Sequence, residues 1–149
     1  FRRYDIYVLL TILVCAPILA LLVVFFGDFV NVTLFNQKAP LYIDAYRNSP
    51  SPLLLALISI SVFPAIFEEI AFRGILFNES LKIIKLKPTI FITAILFTML
   101  HLSIISFIWI FPLGLVLGYL RAKYNTLVYG IIGHFAYNAS VVLIEIVLA

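Results

Sequence analysis

Cysteine is all but missing from this chain. The single Cys15 lies in an apolar run, so an internal disulfide and a C-x-x-C metal site are both excluded. Charge is scarce as well: 11% of the 149 residues are charged, against roughly 25% in ordinary soluble domains. With 64% hydrophobic residues and a mean hydropathy of +1.19, that scarcity excludes an ordinary soluble globular domain. The basic excess is small, ten Lys and Arg against seven Asp and Glu, so no nucleic-acid partner is expected. No H-E-x-x-H metalloprotease motif, internal repeat, low-complexity tract or soluble second domain occurs. What the chain has instead is apolar runs, several of which approach the roughly 20 residues that cross a bilayer.

The first run, Tyr4 to Phe26, follows Arg2 and Arg3, contains Pro17 and ends at Gly27 and Asp28. It is long for the apolar part of a signal peptide and lacks a small-x-small cleavage pattern, so it is expected to be a mature helix. Asn36 to Pro52 has turn chemistry, with room for a short interfacial helix around Tyr42 and Tyr46. The second helix is expected over Leu53 to Phe77 and runs into the amphipathic connection NESLKIIKLK. The third is expected from Thr89 to about Ser106, a shorter fourth over Phe111 to Leu120 with Trp109 at an interface, and the fifth from Thr126 to Ala149. The fold class is therefore all-α: a polytopic transmembrane helix bundle of about five membrane helices with a short amphipathic connecting helix. Residues 1–149 are expected to form a single transmembrane domain, with an N-terminal helix and loop over 1–50 and a core over 53–149.

Lysine and arginine in the short loops set the expected orientation. Arg2 and Arg3, then Lys82, Lys85 and Lys87, then Arg121 and Lys123 return to one side after each pair of spans. That side is expected to be cytoplasmic, which places the N-terminus and the Lys82–Lys87 loop there. At about 1.5 Å per helical residue, Glu68 lies roughly 14 Å, His101 roughly 19 Å and His134 roughly 12 Å from that side. Three polar side chains on three helices thus reach similar depths.

Ionisable residues at such depth are costly and face a bundle interior, so a functional role is the default reading. Glu69 and Arg73 stand at i and i+4 with the acid first, the favourable order for an ion pair. Glu68 is rotated by about 100° from Glu69 around the helix, and one arginine does not easily serve both. His101 is the natural partner for Glu68, because a histidine and a carboxylate in a low-dielectric site form an acid-base pair. Phe97, one turn before His101, can seat the imidazole or line a peptide pocket, and packing explains it equally. His134 and Asn138 share a stripe with Gly130; the bland reading is interhelical hydrogen bonding, the sharper one an oxyanion hole. Gly114-x-x-x-Gly118 allows close helix packing, and an interfacial position suffices for Glu145.

Glu68-Glu69-x-x-x-Arg73, Phe97-x-x-x-His101 and His134-x-x-x-Asn138, in this order on successive hydrophobic helices, resemble the motifs of the CPBP (Abi) family. That family includes the CAAX-processing intramembrane endopeptidases. The resemblance spans about Leu53 to Ala149. Family members commonly have more helices, and the chain starts without Met, so an N-terminal portion is expected beyond it. The resemblance implies peptide-bond hydrolysis in the membrane by a glutamate-activated water. By position, Glu68 is the general base, His101 orients or activates the water, His134 and Asn138 form the oxyanion hole, and Glu69 and Arg73 brace the site. The implied partners are a membrane-associated or lipidated peptide and the bilayer itself, with no cofactor.

Three other readings remain open at this level. A zinc protease could use two histidines and a glutamate with water in the fourth place, although Asn138 is a poor zinc ligand. A non-catalytic scaffold or immunity-type protein would keep the fold and bind a peptide. An ion or proton pathway would use the same buried Glu and His residues.

Overall fold

The computed structural model describes residues 5–38 and 41–148, and among them there is helix but no strand. Five helices follow one another: α1 (Ile6–Phe35), α2 (Pro52–Leu81), α3 (Leu86–Met99), α4 (Phe107–Tyr124) and α5 (Val128–Leu148). By length and composition α1, α2 and α5 can each cross a membrane. The protein is an integral membrane protein.

Asp5 starts α1 by accepting a hydrogen bond from the Tyr7 N–H at 2.9 Å. The helix passes Pro17 and, against expectation, also passes Gly27 and Asp28 to end at Asn36 in the left-handed conformation. The residues after Gly27 are again mostly apolar, and Asn31 bonds within the helix by donating to the Gly27 carbonyl at 2.8 Å. The start expected at Tyr4 lies outside the described residues, as does the last residue of the fifth helix, Ala149. The short helix expected around Tyr42 and Tyr46 is present as a tight turn of helix, Tyr42–Tyr46. Asp44 holds it by accepting from the Leu41 N–H and from Arg47; the Arg47 hydrogen bond keeps the Asp44 carboxyl below its ordinary range.

The chain divides into two compact units: residues up to Pro64 together with Gly133 onward, and Ala65–Ile132. In the first unit the Tyr42 N–H donates to Glu145 at 3.0 Å. Glu145 therefore ties the loop to the last helix, a role its position near a helix end did not disclose.

The second unit is built on an antiparallel hairpin of α3 and α4. Ideal Cβ atoms at Gly114 and Gly118 would lie 3.1 Å from Ala94 and from Ile90, so the two glycines let the helices approach closely. Buried Thr93 and Thr98 donate their hydroxyls to carbonyls one turn back, at 2.8 Å each, and no polar atom of theirs needs a partner outside the helix. Phe72, Phe97 and Ile110 form the buried core, with Leu76 and Trp109 packed on it. Trp109 thus belongs to α4 and packs on this core. Helix α4 starts at Phe107 and contains Pro112, so it is longer at both ends than expected. Helix α3 stops at Met99, short of the expected Ser106. Leu102 takes a left-handed conformation, φ 49°, and Ser106 donates its N–H and its hydroxyl to the Ser103 hydroxyl. These local bonds compete with helix continuation. The connection after Phe77 begins as the last turn of α2, to Leu81, with Lys82 paired to Glu79 at 2.7 Å.

Candidate functional site

Glu69 and Arg73 lie on α2 and are completely buried, with Arg73 Nη1 2.8 Å from Glu69 Oε1. Arg73 Nη2 donates to the Gly114 carbonyl of α4 at 2.9 Å, and the guanidinium sits 4.3 Å from the centre of the Phe97 ring of α3. One arginine therefore fastens three helices through an ion pair, a backbone carbonyl and an aromatic face. Both terminal nitrogens of Arg73 are committed, to Glu69 and to Gly114. Glu68, the adjacent residue on α2, is half-buried.

Phe97 links this brace to His101. Its ring meets Phe72 edge-on at 5.4 Å and the imidazole at 5.3 Å. His101 lies just past the end of α3, in an exposed turn, and its Nδ1 is 3.1 Å from the Phe97 carbonyl. A carbonyl can only accept, so Nδ1 carries the proton and Nε2 of the neutral ring bears the lone pair. The second unit thus brings Glu69, Arg73, Phe97 and His101 into one connected chain, with Glu68 on the neighbouring helix position.

His134 and Asn138 belong to the other unit, on α5. His134 is 2% exposed. Asn138 is half-buried and donates from Nδ2 to the Ile60 carbonyl at 2.9 Å. Helix α5 is continuous from Val128 to Leu148, so Gly130, His134 and Asn138 keep the i, i+4, i+8 stripe.

Two wide turns of helix, Leu57–Val62 and Ile70–Leu76, flank the glutamates within α2. In each the next residue donates five positions back, Phe63 to Ile58 and Phe77 to Phe72. Such turns are rare in helices and recur at functional sites. Pro64 follows the first of them by two residues, and Gly74 lies within the second.

Two further residues of the site were not singled out by sequence. Arg121, read only as a loop charge, donates from Nε to the Arg73 carbonyl at 2.9 Å and from Nη2 to Asn78 at 2.9 Å. It also donates to Asn125 at 2.5 Å. Because Phe77 gives its N–H to Phe72, the Arg73 carbonyl is without its usual helical donor, and Arg121 supplies one. The sequence marks Gly130 only by its place on the stripe of His134 and Asn138. A Cβ there would stand 2.5 Å from Glu69 Oε2, too close for either group. Gly130→Ala is expected to lower stability by about 1–3 kcal/mol through overpacking against a fixed carboxylate. Denaturant unfolding in mixed micelles measures it, and a variant as stable as wild type would refute the fit.

Residues 50–140 match the family described as type II CAAX prenyl endopeptidase, Rce1-like. This stretch contains every motif residue named above. Neither the curated proteins nor the solved structures yield a match.

Proposed function

We propose, for a chain that belongs to the Rce1-like family of type II CAAX prenyl endopeptidases, a specific division of labour in a CAAX-type intramembrane protease. Glu68 is the general base. It takes a proton from water, the resulting hydroxide adds to the scissile carbonyl carbon, and the same proton then passes to the departing amine nitrogen. His101, with Nδ1–H held by Phe97, offers the Nε2 lone pair to the second hydrogen of that water and so sets its direction. His134 and Asn138 donate to the oxyanion; Asn138 has a second amide hydrogen beyond the one given to Ile60. Glu69, Arg73 and Phe97 do no chemistry and hold the helices that carry the reacting groups.

The observation that supports this reading best is the commitment of Arg73. An arginine bonded to Glu69 and Gly114 and stacked on Phe97 supports a structural role for Glu69, and on this reading the chemistry belongs to Glu68. The substrate class that fits a site on apolar helices is a membrane-associated or lipidated peptide. The mechanism needs no metal ion.

Purified protein in lipid nanodiscs, incubated with a library of membrane-associated peptides with and without a strong zinc chelator, tests the proposal. Cleavage is expected, with a rate unchanged by chelation. Loss of cleavage on chelation and its return with zinc would replace the base mechanism by a zinc mechanism. No cleavage of any peptide, together with retained peptide binding, would support a scaffold.

A further inference from the structure

We infer that Pro64 is a positioning residue for Asn138, a role that rests on the proposed part of Asn138 in the oxyanion hole. In an α-helix the N–H of residue 64 donates to the carbonyl of residue 60. Proline has no N–H, and its ring presses on that same carbonyl. Helix α2 nonetheless runs through Pro64 without a break, and the turn ahead of it, Leu57–Val62, is widened. A proline inside a membrane helix is accommodated where local widening and side chains from neighbouring helices satisfy the freed carbonyl. Here the donor is Asn138: its Nδ2 lies 2.9 Å from the Ile60 carbonyl oxygen. The residue that withholds the donor and the residue that supplies it are therefore coupled at a single oxygen.

The consequence concerns the polarity of the Asn138 amide. An asparagine side chain can turn by 180° and exchange its NH2 and its carbonyl oxygen. An Asn138 turned the wrong way would aim an oxygen at an oxyanion and repel it. The Ile60 carbonyl can only accept, so it selects the orientation in which Nδ2 is the near atom and excludes the other. Restoring an N–H at residue 64 gives that carbonyl a backbone donor and removes the pressure that pushes it toward α5, so the selection weakens.

Pro64→Ala in the full chain tests the inference. Alanine is a better helix former than proline, so the thermal midpoint is expected to stay or rise while kcat falls about tenfold and KM changes less than twofold. Loss of one oxyanion donor costs about 10²–10³ in kcat, and a mis-set donor loses part of that. In an Asn138→Ala background, Pro64→Ala is expected to have no further effect on kcat. A Pro64→Ala enzyme with wild-type kcat overturns the inference, as does an equal loss in both backgrounds. Wild-type cleavage and its loss in Glu68→Gln are run alongside, so failure of the protease reading is recognised separately. In that event the ¹⁵N side-chain amide signal of Asn138 decides: slow hydrogen exchange in wild type and fast exchange in Pro64→Ala support the coupling, and equal exchange in both refutes it.

Discussion

Glu68→Gln is expected to lower kcat by about 10³-fold, within the 10²–10⁴ that general-base catalysis contributes, while KM stays within about a factor of two. Glutamine matches glutamate in size and still hydrogen-bonds, but its amide cannot take a proton from water. The loss therefore falls on the transition state and leaves peptide binding in place. Initial rates over a range of peptide concentrations in nanodiscs separate the two constants. The contrast with the adjacent acid sharpens the test. Glu69→Gln leaves Arg73 without its carboxylate partner, so its effect appears in stability and yield as well as in rate. A Glu68→Gln enzyme that cleaves at close to the wild-type rate would mean that the carboxylate at this position does not activate the water. An unaffected cellular function in the same variant would point to binding as the protein's role.

The largest expected change in stability comes from Arg73→Met. Removing one partner of a buried ion pair costs about 3–5 kcal/mol, because the other charge stays in place without compensation. Here the abandoned group is Glu69, fully buried beside the Gly130 backbone, and the Gly114 carbonyl loses a donor with it. Denaturant unfolding in mixed micelles, with the yield of monodisperse protein as a second measure, reads the loss. The double variant Glu69→Met/Arg73→Met is expected to recover most of it, since apolar replacement of a whole buried pair is often neutral or better. Recovery would assign the single-variant cost to the stranded carboxylate. A double variant as unstable as Arg73→Met alone would show instead that the contacts of Arg73 with Gly114 and Phe97 carry the stability.

The ion pair is legible in the sequence because it depends only on helical periodicity, which sets Glu69 and Arg73 one turn apart. The Phe97–His101 pair is legible for a different reason. Its spacing survives although the helix does not: α3 ends at Met99, and the imidazole folds back to the carbonyl one turn behind it. Gly114 and Gly118 form the packing face that their spacing suggests. Helix ends are the weaker part, at Phe26, Ser106, Phe111 and Leu120, because in an apolar run neither Gly27 nor Ser103 carries a stop signal independent of its neighbours. Arg121 escapes notice because a basic residue at a helix end has a sufficient explanation as a loop charge. Its bond to the Arg73 carbonyl exists only because a widened turn withdraws the Phe77 N–H.

Composition and periodicity alone determined that the chain is helical and lives in lipid, where an unpaired backbone group is too costly for any segment to be anything else. They also mark which few ionisable groups stand within apolar runs. The tertiary structure alone decided how those groups are shared out. Arg73 is given to Glu69, Gly114 and Phe97, and the Ile60 carbonyl accepts from Asn138. The reason is physical: a hydrogen bond or ion pair between segments depends on angstrom-scale distances across helices. No spacing along a single chain specifies such distances.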